Sequence, residues 1–163
     1  MNPVAATDFS LTDQAGQQRQ LSDYRGRWVV LYFYAQDEAL GCTTQACSFR
    51  DEYRIIKQFG NAEVIGINHG TVDSHAAFAN QHNLTFPILS DPGHQVTSQY
   101  NSWKNVRAKL LGQSFATQRN TFLIDPDGNI AKKYTGVKMS NHHTQQVIED
   151  LQKLQSSYQK LAV

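Results

Sequence analysis

The pattern of apolar and polar positions along the chain predicts buried strands separated by amphipathic helices. The continuously apolar run Trp28 to Tyr34 (WVVLYFY) is rich in β-branched and aromatic residues, as is typical of a central strand covered on both faces. Val64 to Asn68 (VIGIN) has the same character. The segment Thr44 to Phe59 instead repeats its large apolar residues at helical intervals and is followed by Gly60, which predicts a helix that stops there.

The remaining segments complete an alternating order of elements. Further strands are predicted at Asp8–Asp13, Thr85–Leu89, Thr121–Ile124 and Ile130–Tyr134, and further helices at Ser74–His82, His94–Tyr100 and His143–Lys160. The order β, β, α, β, α, β, α, β, β, α indicates an α/β protein with a mixed central sheet and helices on both faces. We expect residues 1–163 to form a single domain, with Asn101 to Gln118 as an irregular insertion packed by Trp103.

Charge and composition exclude several classes of partner. Fifteen Lys and Arg against fourteen Asp and Glu give a formal net charge of +1, without a basic block. We therefore expect no nucleic-acid groove and no polybasic membrane contact. The first residues, MNPVAATDF, have neither a basic region nor a hydrophobic region of a signal peptide, and no apolar run could span a membrane. These features predict a cytoplasmic protein, and the lack of an exposed apolar stripe predicts a monomer.

Two cysteines, Cys42 and Cys47, lie five residues apart in GCTTQACSF. In a reducing compartment such a close pair indicates redox chemistry or metal binding, although two small buried hydrophobic residues would give the same pattern. A zinc site is disfavoured because the histidines lack ligand spacing. We expect His75 and His82 on a solvated helix face, and His142 with His143 as a surface pair.

The position of Cys42 favours reactivity. It lies at the start of the predicted helix, where unpaired N–H groups favour a thiolate, and Thr43 or Thr44 could cap that turn. If both cysteines were helical, their Cα atoms would be separated by roughly 8.7 Å, whereas a disulfide needs less than about 7 Å. Any bond between Cys42 and Cys47 would therefore require the first turn of the helix to unwind.

Several motifs together resemble the peroxiredoxin Q group of the peroxiredoxins, also called the bacterioferritin comigratory protein group. They are DFSLTDQAG, LSDYRG, VVLYFYAQDEALGCTTQACSFRDEY, DSHAAFA, FPILSD and RNTFLIDPDGNI, which span nearly the whole chain. The resemblance implies a thioredoxin-like fold with an N-terminal β extension. It also implies a thiol peroxidase that reduces hydrogen peroxide and organic hydroperoxides without a metal or organic cofactor.

The same resemblance implies roles for three residues. Cys42 occupies the position of the peroxidatic cysteine, Cys47 that of the resolving cysteine, and Arg119 that of an arginine on a strand beside the active site. Peroxide would convert Cys42 to a sulfenic acid, a Cys42–Cys47 disulfide would follow, and thioredoxin or a similar dithiol would reduce it. Arg119 would stabilise the thiolate and the leaving oxygen.

The chain departs from the family pattern in the loop before Cys42. Ala35 and Leu40 stand where the family has prolines, and Ala39 stands where it has a Thr or Ser whose hydroxyl holds the peroxide. Gln45 replaces a usual Glu. Two alternatives to a peroxidase therefore stay open. One is a redox switch or thiol–disulfide carrier with weakened peroxidase activity, and the other is a binding module without catalysis.

Overall fold

The central feature of the fold is a mixed sheet, which has eight strands within the described residues 2–108, 112–138 and 142–162 of this computed structural model. In chain order the elements are β1 (Val4–Ala5), β2 (Ser10–Asp13), β3 (Gln18–Gln20), a 3₁₀ turn (Leu21–Tyr24), β4 (Trp28–Phe33), α1 (Leu40–Gly60), β5 (Ala62–Asn68), α2 (Val72–His82), β6 (Ile88–Ser90), α3 (Gln95–Gln99), β7 (Trp103–Ala108), β8 (Gly112–Thr117), β9 (Thr121–Ile124), β10 (Asn129–Tyr134) and α4 (His142–Leu161).

The strands are arranged in the order β1-β10-β9-β4-β5-β6-β2-β3. β4 pairs in parallel with β5 and antiparallel with β9, and β5 pairs in parallel with β6. The carboxyl ends of β4 and β5 therefore meet at one edge of the sheet, the edge at which α/β proteins place their ligands. The loop from β4 to α1, which precedes Cys42, leaves the sheet at that edge.

Two apolar clusters cover the two faces of β4, every residue of which is buried. On one face, Trp28, Val30 and Tyr32 pack with buried residues of α1, α2 and α4, including Phe49 and Val147. On the other face, alternate residues of the same strand pack with the N-terminal segment, the 3₁₀ turn and α3. The expectation of a mixed sheet with helices on both faces, in a thioredoxin-like α/β fold, is confirmed.

The structure corrects the predicted order at the start of α1 and in the stretch Asn101 to Gln118. α1 begins at Leu40, four residues before the predicted start, so both cysteines lie inside it. The stretch Asn101 to Gln118, predicted as irregular, contains the antiparallel hairpin β7–β8. Trp103 at the start of β7 stacks on His94 with ring centroids 3.7 Å apart, so this part of the insertion is packed by its tryptophan as expected. Among the helices of the described ranges, none has the length and apolar character that crossing a membrane requires.

Candidate active site

Cys42 lies in the first turn of α1 and is only 3% exposed. Ala39 is the N-cap residue, with φ −67° and ψ 138°, and it contributes no side-chain capping bond. The Thr43 N–H donates to the Ala39 carbonyl oxygen at 2.8 Å, which closes the turn. The prediction that Thr43 or Thr44 caps the helix is therefore wrong, because the helical turn forms ahead of both residues. Cys42 nevertheless lies in the first turn of α1, at the positive end of the helix dipole.

Arg119 ties the first turn of α1 to the segment that precedes β9. Its Nη2 donates to the Gly41 carbonyl oxygen at 3.1 Å and to Gln45 Oε1 at 2.9 Å. Gln45 lies three residues after Cys42 and therefore on the same face of the helix. Its exposed fraction is only 5%. The structure thus brings Arg119 to the turn that carries Cys42. Gln45 accepts through a neutral amide, so it leaves the guanidinium charge uncancelled.

Several buried polar atoms at this turn have no hydrogen-bond partner among the described residues. They are Thr43 Oγ1, Gln45 Nε2 and Arg119 Nε. Thr44, by contrast, donates its hydroxyl to the Leu40 carbonyl oxygen at 2.9 Å within the helix. Buried donors without partners are costly, so they are expected where a ligand completes the hydrogen bonds. Of the two threonines that could replace the hydroxyl missing at position 39, only Thr43 has an uncommitted hydroxyl.

A partly buried polar network that the sequence analysis did not predict fixes the loop before Cys42. Asp37 accepts from the Tyr34 hydroxyl at 2.6 Å and from the Ser74 hydroxyl at 2.7 Å, and its Oδ2 lies 2.7 Å from His75 Nδ1. Burial raises the pKa of Asp37, but the hydrogen bonds from His75, Tyr34 and Ser74 outweigh it and lower that pKa overall. The carboxylate therefore stays ionised and bonded at neutral pH.

Asn68, the last residue of β5, supports the same loop from the adjacent strand end. Its Nδ2 donates to the carbonyl oxygens of Tyr34 and Ala35, both at 2.9 Å. Because His75 is fully buried, the expectation that it lies on a solvated helix face is wrong. The reason is that Asp37 offers it an acceptor at the end of β4. Contacts of this kind hold the loop although it lacks the family prolines.

His143 also differs from its expectation as one of a surface pair. Its side chain is buried, and Nε2 lies 2.9 Å from the hydroxyl oxygen of Thr121. Burial, with a smaller contribution from the positive charge of Arg119, lowers the pKa of His143 to about 4. It is therefore neutral at physiological pH and packs the start of α4 against α1, where its ring lies 6.1 Å from that of Phe49.

Cys47 is partly exposed and faces different surroundings from Cys42. It lines an open cleft of about 540 Å³ between α1 and the start of α4, with Thr44, His142 and Gln145 among the other lining residues. Cys42 and Cys47 are not joined by a disulfide, and both lie on the continuous helix α1, for which the spacing argument gives a Cα separation too large for that bond. In the part of the chain that the structure describes, no three His, Cys, Asp or Glu side chains are grouped to hold a metal ion.

Comparison with known proteins gives the family to which this arrangement belongs. The model of the AhpC/TSA family matches residues 4–133. The chain is a peroxiredoxin. It is 36% identical over 156 residues to peroxiredoxin Bcp of Bacillus subtilis, covering 95% of each chain. It is 39% identical over 148 residues to peroxiredoxin Bcp of Escherichia coli, covering 88% of this chain and 93% of that protein.

A solved structure supports the same assignment for this peroxiredoxin. Xanthomonas campestris bacterioferritin comigratory protein, described for its alkyl peroxide reduction activity, superimposes with a TM-score of 0.83 at 27% identity. The superposition covers 89% of this chain and 90% of that one. The resemblance to the peroxiredoxin Q group, the thioredoxin-like fold and the class of thiol peroxidase are thereby confirmed.

Proposed function

We propose that this peroxiredoxin reduces hydrogen peroxide and organic hydroperoxides through Cys42, with Cys47 as resolving cysteine and Arg119 as the stabilising cation. The observation that carries the proposal is the Arg119 guanidinium bonded to the first turn of α1, beside Cys42 and the helix N-terminus. Both features favour the thiolate over the thiol. The organic substrates are inferred from the Xanthomonas campestris relative, which is described for alkyl peroxide reduction.

In the first step the Cys42 thiolate attacks one peroxide oxygen. A sulfur–oxygen bond forms, the oxygen–oxygen bond breaks, and the departing oxygen takes a proton to leave as water or an alcohol. Negative charge therefore develops on the leaving oxygen, which the Arg119 guanidinium stabilises. Thr43 Oγ1 and Gln45 Nε2 are buried donors without partners, and we assign to one of them the hydrogen bond that Ala39 cannot supply.

In the second step the Cys47 thiolate attacks the Cys42 sulfenic sulfur, and a disulfide forms as hydroxide leaves and is protonated to water. Because both residues are helical in the reduced protein, the turn from Leu40 must unwind first. Thioredoxin or a similar dithiol then reduces the disulfide by two thiol–disulfide exchanges. We propose that the protein acts in the cytoplasm as a monomer formed by one domain over residues 1–163.

Peroxide consumption coupled to thioredoxin and its reductase tests this function. We expect catalytic turnover that is abolished in the Cys42→Ser variant. One oxidation per molecule without turnover would instead support a redox switch or thiol–disulfide carrier, a function favoured by the missing hydroxyl at Ala39. Thiols that do not react with peroxide would support a non-catalytic binding module.

A further inference from the structure

Cys47 has a cationic neighbour that the chemistry at Cys42 does not use. Arg50 lies three residues beyond Cys47 on the same face of α1, and its Nη1 is 3.5 Å from Cys47 Sγ. The same nitrogen donates to the His82 carbonyl oxygen, at the end of α2, at 2.7 Å. Its Nε and Nη2 both donate to Asp51 Oδ1, at 3.0 and 2.8 Å. The guanidinium is therefore held in one orientation from two sides.

The Arg50 guanidinium stays protonated and positively charged. The hydrogen bond to Asp51 raises the pKa of Arg50 further above its usual range. The Arg50 side chain is 31% exposed, so water screens it less than it screens a freely extended surface arginine. A fixed cation beside a sulfur favours the negatively charged form of that sulfur, which is the nucleophilic form.

The residues that follow Cys47 are each anchored to a different part of the fold. The Ser48 hydroxyl donates to Thr144 Oγ1 of α4 at 2.7 Å. Phe49 is fully buried in the core, and Arg50 is bonded to the end of α2. Unwinding that starts at the N-terminus of α1 therefore meets tertiary anchors immediately after Cys47. In this geometry Cys47 stays near its position while Cys42 moves.

We propose that Arg50 is a positioning residue for disulfide formation, holding the Cys47 sulfur at the anchored part of α1 and stabilising its negative charge. This inference rests on the proposed function. In the step concerned, the Cys47 thiolate forms a bond to the Cys42 sulfur, the sulfur–oxygen bond of the sulfenic acid breaks, and the departing hydroxide takes up a proton. Arg50 acts before the bond forms, on the attacking sulfur.

The test separates the two oxidation steps. Arg50→Met removes the guanidinium and keeps an apolar stem, Arg50→Lys keeps the charge, and Arg54→Met is the matched control. Arg54 lies one turn further along α1, where its Nε donates to Gln58 at 3.3 Å. After one equivalent of hydrogen peroxide, samples are quenched at intervals by a thiol-alkylating reagent. Mass spectrometry then counts sulfenic acid and disulfide.

We expect Arg50→Met to form the sulfenic acid at the normal rate and to close the disulfide about tenfold more slowly, as loss of a charge-assisted contact predicts. Raising the pH should narrow the difference in closure rate between Arg50→Met and the unsubstituted protein. Arg50→Lys should close at an intermediate rate. The Arg54→Met variant should close at the rate of the unsubstituted protein.

A purely structural role for Arg50 predicts that its removal does not slow disulfide closure. If Arg50 only ties α1 to α2, removing it makes local unwinding easier, and closure becomes faster or stays unchanged. That result would overturn the inference and leave the proposed function intact. If Arg50→Met does not fold, Arg50→Gln takes its place, because closure at the unsubstituted rate in this uncharged variant would overturn the inference. If the unsubstituted protein forms no Cys42–Cys47 disulfide, the proposed function fails as well.

Discussion

Replacing Ala39 with threonine should affect the two oxidation steps in opposite directions. Ala39 is the N-cap of α1 and has no side-chain capping bond. A threonine oxygen at this position can accept from the N–H of Gly41 or Cys42, and such a cap contributes about 0.5–2 kcal/mol. At about 1 kcal/mol, the first turn unwinds roughly fivefold less often. Because disulfide formation requires that unwinding, closure should slow by about fivefold.

The same hydroxyl should accelerate the reaction with peroxide. Its oxygen accepts from the helix, but its proton remains available to the peroxide or to the Cys42 thiolate. A hydrogen bond to a charged centre contributes about 1.5–3 kcal/mol, which corresponds to a gain on the order of 10- to 150-fold in the oxidation rate. The Ala39→Thr variant should therefore accumulate sulfenic acid before it closes.

Stopped-flow oxidation followed by rapid quenching measures both rates, and Ala39→Val is the matched control because it has the shape of threonine without the hydroxyl. Closure in Ala39→Thr as fast as in Ala39→Val would refute the argument that the first turn must open. An unchanged oxidation rate would show that the reaction with peroxide does not need a hydroxyl at position 39. The uncommitted hydroxyl of Thr43 would then be the donor, and Thr43→Val should slow oxidation.

Two further predictions concern the partly buried guanidinium of Arg119 and the buried imidazole of His143. Arg119→Met removes the bonds to the first turn, so alkylation of Cys42 at acidic pH and its oxidation should slow on the order of 10- to 150-fold, and an equally fast alkylation would contradict the role of Arg119. Because burial lowers the pKa of His143 to about 4, the unfolded chain binds more protons between about pH 6.5 and 4, and stability falls as the pH drops through that window. Urea unfolding at pH 7 and 4.5 should show that His143→Gln loses about 2 kcal/mol less than the unsubstituted protein, whereas equal losses would contradict the assignment.

The elements that position Cys42 were predictable because their signals are local. A continuously apolar run rich in β-branched residues, such as Trp28 to Tyr34, is typical of a buried central strand. The helical repeat of apolar residues after Cys42 is long enough to show its period. The start of α1 was placed too late because Leu40 and Gly41 continue no apolar pattern. Contact with Arg119, which is 78 residues away from Gly41, holds that turn. β1 and β3, with two and three residues, are too short to show alternation.

The histidines show what a single sequence does not reveal. His75 looks like a helix-surface residue because its acceptor, Asp37, lies 38 residues earlier in a loop. One signal could have indicated the contact: Asp37 follows β4, and His75 lies in the first turn of the helix after β5. These parallel strands end at the same edge of the sheet. His143 had no such signal. Its burial depends on how α4 packs against α1.

The most direct test of the account is the covalent product that one equivalent of hydrogen peroxide leaves in the reduced protein. Peptide mass spectrometry should find a loss of two hydrogens within the peptide that contains both Cys42 and Cys47, in a protein that remains monomeric. It should find no disulfide in Cys42→Ser. Dimers linked through Cys42 as the main product, or an unmodified peptide, would contradict the account.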